Sequence, residues 1–179
     1  ELMDLLEAVD RYNEGAEERV IAFAGSKANA PVLLDLAFGN QTQKLKTRLE
    51  PTNELQVAGA DIQVAYLNDQ WSLNNSEIRS GLEIVKAIAD RMSPGFLQLQ
   101  RDDGLFQFVQ GRALMVVSGS YDAQSIRLQA PFEVGAFRVP LPTPEHPKYG
   151  QHVLGKQSEA GLGAQSAYSI FIGSKHFPE

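Results

Sequence analysis

Gly111-Arg112-Ala113-Leu114-Met115-Val116-Val117-Ser118-Gly119-Ser120-Tyr121-Asp122 is the stretch on which the fold turns. Five apolar residues run from Ala113 to Val117 and stop at a Ser-Gly-Ser break. A short unbroken apolar run bounded by glycine reads as a buried strand of a parallel or mixed sheet. Ser120 then has the chemistry of a helix N-cap, so the spacing predicts a helix from there through Gln129 with Tyr121 in its first turn. Strand, turn and helix start in that order place polar groups at the carboxyl end of a sheet, where open α/β folds bind ligands.

The same pattern occurs upstream. Leu2, Leu5, Leu6, Val9 and Tyr12 recur at helical spacing, and Asn13 and Gly15 close that helix. Residues 19–25, Arg-Val-Ile-Ala-Phe-Ala-Gly, read as a strand, and Asn29 with Pro31 opens a helix through about Phe38. Residues 39–65 give a weak signal. Asn74 and Glu77 form a capping-box pair ahead of a helix whose expected buried face is Ile78, Leu82, Val85, Ile88, Ala89 and Met92, stopped by Ser93-Pro94-Gly95. A short helix over residues 104–111 delivers the chain into the opening strand, and residues 132–139 alternate as a further strand. Four prolines between 140 and 147 exclude regular structure there, and a Gly-rich loop leads to a last strand over 167–173. The fold class is therefore α/β, with enough chain for one medium domain or two small lobes.

Composition removes several function classes. A net charge of −6, with 22 acidic against 16 basic residues, lacks the cationic excess that phosphate neutralisation needs, so no nucleic-acid partner is expected. The chain has no cysteine, which excludes disulfides, thiolate metal sites and thiol nucleophiles. His146, His152 and His176 all fall in late loops at spacings that make no metal site, and surface positions are expected for them. No metal and no cofactor are predicted. Gly150-Gln151-His152-Val153-Leu154-Gly155-Lys156-Gln157 nearly spells a phosphate loop, but Gln157 has no hydroxyl for Mg²⁺ and no helix pattern follows. Gly161-Leu162-Gly163 precedes a strand instead of following one, so it reads as a turn. Ser118 and Ser120 lie outside any G-x-S-x-G elbow, and capping explains serines there. Trp71 reads as a packing residue under the helix that follows it. Tyr121 divides evenly between packing and facing a cleft.

Several of these segments, in order, resemble the extracellular solute-binding proteins of bacterial ABC importers, in particular the sugar-carrying class. Phe106-Gln107-Phe108-Val109-Gln110-Gly111-Arg112-Ala113 resembles that family's F-x-x-G-[KR]-A-A-M, with Leu114 in place of the second alanine before Met115. Ser118-Gly119-Ser120-Tyr121 resembles x-G-S-W, with tyrosine where tryptophan is common. Residues 137–142, the run Ser174-Lys175-His176-Phe177-Pro178-Glu179 and the approach Gln70-Trp71-Ser72-Leu73-Asn74-Asn75 add three further partial matches. Over residues 1–68 the likeness is thinner, and Arg19-Val20 stands where the family has a proline.

The resemblance implies a two-lobed periplasmic-binding fold of the second type. Residues 1–141 would form the second lobe, and residues 142–179 the hinge crossing and an incomplete return into the first. The sequence is then expected to be a piece of a longer chain. It further implies a non-enzymatic monomer, periplasmic or extracellular with or without a lipid anchor, that hands a sugar or similar solute to ABC transporter membrane subunits. Tyr121 would stack on the solute, Ser120 and Asp122 would bond its hydroxyls, Ser26 would contribute from its own strand end, and Ala160 and Gly161 would line the cleft from the hinge side. A carbohydrate hydrolase with two carboxylates and a sensor lobe of a receptor are the alternatives, and Asp122 is the one carboxylate well placed for the first.

Overall fold

The computed structural model describes residues 2–50 and 57–156, and within them the protein is a mixed α/β structure with seven α-helices around a two-stranded parallel sheet. Helix α1 (Leu2–Gly15) buries Leu2, Leu6 and Val9 of the expected stripe and leaves Leu5 and Tyr12 exposed. The turn into β1 (Ile21–Ala24) is held by one side chain: Asn13 donates from Nδ2 to the Val20 carbonyl at 2.9 Å and accepts the Val20 N–H on Oδ1 at 2.8 Å. Helix α2 (Ala30–Gln41) opens with Pro31 in its first turn, where no amide donor is needed. The weakly patterned middle of the chain folds as α3 (Gln43–Leu49) and α4 (Gly59–Leu67). Then follow α5 (Ser76–Ala89), α6 (Arg101–Val109), β2 (Ala113–Val116) and α7 (Ala123–Gln129).

The strands run parallel, with Ile21 opposite Ala113, Phe23 opposite Met115 and Ala24 opposite Val116, and Phe23 makes a further bridge to Met92. Both carboxyl ends therefore emerge on one side, at Gly25-Ser26 and at Val117-Ser118. The main core gathers Leu2, Leu6, Phe23, Leu33, Ile84, Ile88, Met115 and Tyr149. Leu33, Ile84 and Ile88 are each fully enclosed, worth about 1.5–3 kcal/mol apiece relative to exposure. A second cluster of Ala24, Phe108, Val109, Ala113 and Ile126 fastens α6 and α7 to the strands. A third, Leu45, Leu49, Ala65 and Ile78, has Trp71 packed against it, its ring edge-on to Tyr66 at 6.4 Å.

Four expectations need correction. The buried face of α5 is Ile78, Gly81, Ile84 and Ile88, and Leu82 is half exposed. The cause is Gly81: a Cβ there would lie 2.7 Å from the Phe38 ring of α2, so the two helices close around a glycine and turn Leu82 outward. The predicted capping box does not form, because α5 starts after Asn75, whose Oδ1 accepts the Ser72 N–H at 2.6 Å, while Glu77 turns to Arg48. Residues 132–139 are not a strand. Phe132 packs edge-on to Phe108 at 5.7 Å, Val134 joins the second cluster and Val139 the first, so side chains anchor the segment without a strand ladder. Helix α7 does not begin at Ser120 either, because a 3₁₀ turn over Ser120–Asp122 intervenes and Asp122 occupies the N-cap position.

A buried polar chain ties the core to the last described segment. Ser80 donates to Gln41 at 2.7 Å, Gln41 to Asn40 at 2.7 Å, and Asn40 to the Pro142 carbonyl at 3.1 Å. Further along, Gln43 accepts the Leu154 N–H at 2.6 Å, Lys44 donates to the Gln151 carbonyl at 2.5 Å, and Lys148 faces Glu83 at 3.4 Å. Residues 142–155 thus lie against α2, α3 and α5. No helix among the described residues is long and apolar enough to cross a membrane.

Two measurements check this packing. Gly81→Val forces branched carbons into the Phe38 ring and should cost about 1–3 kcal/mol, read as a lower urea midpoint at unchanged slope. At Glu77, burial opposes ionisation, but its own N–H, the Ser76 hydroxyl at 3.1 Å and Arg48 at 2.6 Å outweigh it and hold the carboxyl below its usual range. A carboxyl lowered on folding contributes stability that is present above the unfolded value near about 4.3 and lost as pH falls through the folded one. The loss of stability on acidification below about pH 5 should therefore be shallower in Glu77→Gln than in the parent.

Candidate functional site

The strand ends bring together two unlike corners. At the end of β1, Ser26 is fully buried. Its hydroxyl donates to Asn29 Oδ1 at 2.8 Å and accepts the N–H groups of Ala28 at 3.3 Å and Asn29 at 3.2 Å, while its carbonyl accepts Ala30 N–H at 3.0 Å. Ser26 therefore builds the turn into α2, with its hydroxyl oxygen already engaged three times. Helix α6 presses on this turn through Gly104, where a Cβ would come within 3.2 Å of the Gly25 carbonyl.

The end of β2 is different, because its polar groups reach the surface. Asp122 is 6% exposed, and its carboxylate accepts the Ser118 hydroxyl on one oxygen and the Arg101 guanidinium on the other. A buried carboxylate needs such donors; the Arg101–Asp122 pair is itself neutral, and the exposed Asp102, 3.5 Å from Arg101, adds a negative charge at its edge. The bond to Asp122 raises the Arg101 pKa above its usual value. Arg101 also stands 5.3 Å from the centroid of the Tyr121 ring, in cation–π range, and keeps 41% of its side chain exposed. Tyr121 is 76% exposed, and its ring folds back over Gly119 so closely that any side chain there would collide with it. Ser120 is exposed at the outer edge of the same turn.

Of the residues singled out from sequence, Tyr121, Ser120 and Asp122 share this corner, and Ser26 lies buried at the neighbouring strand end. Ala160 and Gly161 lie outside the described residues, as do His176 and the strand expected over 167–173. Arg101 was not singled out; its signal was only a position beside Asp102 at a helix start, and helix α6 begins there, three residues before the expected Gly104. The Gln100 N–H donates to Asp103 Oδ2 at 2.8 Å and closes that earlier first turn.

Two hollows compete as binding places. One, of about 390 Å³, is lined by Ile62, Gln63, Tyr66, Leu67 and Trp71 and has no ionisable group apart from the Tyr66 phenol. The other, of about 360 Å³, lies between α6 and α7, with Arg101 and Asp122 at its head and Leu105, Val109 and Ile126 along its floor. Its exposed lining is more polar than apolar, and the converging Arg101, Asp102 and Asp122 side chains supply the chemistry that the other hollow lacks, so it marks the candidate site.

No family model, curated protein or solved structure matches the chain. The site's chemistry must carry the argument unaided. The near-phosphate loop does not supply an alternative: Gly150–His152 is a 3₁₀ turn and no helix follows through residue 156. His146 accepts the N–H groups of Lys148 at 3.2 Å and Tyr149 at 3.0 Å, which makes it a turn former. His152, expected on the surface, is buried at 8% exposure beside Glu77. Among the described residues no group of three or more histidines and carboxylates is placed to hold a metal ion.

Removing the shared acceptor tests whether the corner is built as described. Asp122→Ala leaves the Ser118 hydroxyl and Arg101 without their carboxylate and should cost about 1–3 kcal/mol in denaturant unfolding. Arg101→Ala, at a half-exposed position, should cost less, and an equal or larger loss there would overturn the assignment of Asp122 as the buried anchor.

Proposed function

We propose that residues 1–141 are the second lobe, and residues 142–179 the hinge crossing and part of the first, of a two-lobed solute carrier of the kind that serves bacterial ABC importers, which binds a sugar or similar hydroxyl-rich solute without transforming it. The observation that carries this reading is the corner at the end of β2: an exposed aromatic ring folded back over a glycine, beside a guanidinium and a carboxylate that are already paired. A tyrosine face offers a sugar's C–H surface a stacking platform, and the paired Arg101 and Asp122 offer a donor and an acceptor to hydroxyls with little net charge. A near-neutral pair suits a neutral solute, because a free ion would have to shed water without compensation.

On this reading Ser120 adds a hydroxyl at the rim. Ser26 acts from behind, by fixing the start of α2, and Ala160 and Gly161 belong to the hinge side of the cleft. The opposite wall is supplied by the other lobe, which closes over the solute by hinge motion. The closed form is then what the membrane subunits receive, and the protein works outside the cytoplasmic membrane as a monomer. The α/β framework supports the reading in that both strand ends lie on one side, the side on which ligands bind in open α/β folds.

Isothermal calorimetry against a panel of monosaccharides and disaccharides tests it. Saturable binding without product release is the expected result, weakened at least tenfold by Tyr121→Ala, the scale of one buried aromatic anchor. Turnover of a glycan would replace the carrier with a hydrolase.

A further inference from the structure

The groove between α6 and α7 changes character along its length. At its head are the charged groups of Arg101 and Asp122, where both helices begin. Further along it is lined by Leu105, Phe106, Val109, Ser125, Ile126 and Gln129, of which Val109 and Ile126 are almost wholly buried and Phe106 is the large exposed apolar surface. From Arg101 to Val109 helix α6 covers roughly 12 Å, so these two chemistries are a ligand's length apart. Its volume of about 360 Å³ falls within the range of small-molecule sites.

Phe106 is the telling residue. It is 58% exposed, whereas Phe108, two positions on in the same helix, is 8% exposed and packed in the second core cluster. Phe108 and Val109 already fasten α6 to the sheet, so Phe106 is not needed to hold the helix in place. A large apolar ring standing open beside converging polar groups fits a ligand that is itself polar at one end and apolar at the other.

Resting on the carrier reading above, we infer that the solute is a glycoside with an apolar substituent, its hydroxylated ring held at Tyr121, Arg101 and Asp122 and its aryl or alkyl group seated on Phe106. The polar head alone would select for hydroxyls. The groove adds selection for what is attached to them.

Calorimetry with free glucose, galactose and mannose beside their p-nitrophenyl α- and β-glycosides, on the full chain, tests this. At least one aryl glycoside should bind tenfold or more tighter than its parent sugar. Phe106→Ala should remove that gain and leave the parent sugar's affinity unchanged, while Phe106→Leu, which keeps an apolar surface, should retain part of it. Equal affinity for sugar and glycoside, or a gain that survives Phe106→Ala, overturns the apolar subsite. In that event a sugar affinity lost in Tyr121→Ala leaves the carrier reading standing. Failure of every one of these compounds to bind overturns both.

Discussion

Two four-residue strands laid parallel are the constraint on which the rest of this structure depends. Parallel neighbours cannot be joined by a tight turn, so the chain must leave β1, cross over and come back before β2 can form. The crossover here carries α2 through α6, which is most of the helical mass. Parallel strands also need cover on both faces. The two main clusters provide most of it, one drawing on Ala22, Phe23 and Met115 and the other on Ala24 and Ala113, but Leu114 of β2 is left half exposed, so the strand expected to be buried is open there on one face. With the strands in this register, Ser26 and Ser118 leave the sheet on the same side, and the candidate site follows from that geometry.

Glycines set how closely the parts approach that frame. Gly81 admits the Phe38 ring between α2 and α5, Gly104 lets α6 rest on the Gly25 carbonyl, and Gly119 leaves room for the Tyr121 ring to fold back over its own turn. Each lies where a Cβ would push apart two elements that the core draws together. The electrostatics are equally local. Asp122 is held almost out of water, so its carboxylate must be met by donors, and Ser118 and Arg101 come to it from different elements. That shared acceptor joins the loop after β2 to the start of α6, and Tyr121 is positioned between them.

The C-terminal described segment shows a different way of holding chain in place. Residues 131–155 contain no α-helix or strand, yet Tyr149 and Val153 are buried and Pro140 accepts the Leu2 N–H at 3.1 Å. Proline removes backbone donors from this stretch, so side chains of α2 and α3 supply the bonds that a neighbouring strand would otherwise make. The amides of Asn40 and Gln43 bond backbone groups at both ends of it.

What the sequence by itself determined is the set of locally coded elements: α1, β1, the body of α2, α5 and β2. Their signals are periodicity, continuous apolar runs and Gly or Pro punctuation, each contained within a dozen residues. Only the tertiary structure decided which side of each element matters. Leu82 and Ile84 are equally apolar, and the Phe38–Gly81 contact chose between them. Residues 132–139 alternate like a strand, but their side chains are taken up by two separate clusters and no ladder forms. Ser26 and Ser118 look alike in sequence, and their difference arises because α6 packs over the first and leaves the second at the surface. Arg101 joined the site through an acid 21 positions away. Pairings of that kind depend on where distant elements dock, and no local pattern encodes them.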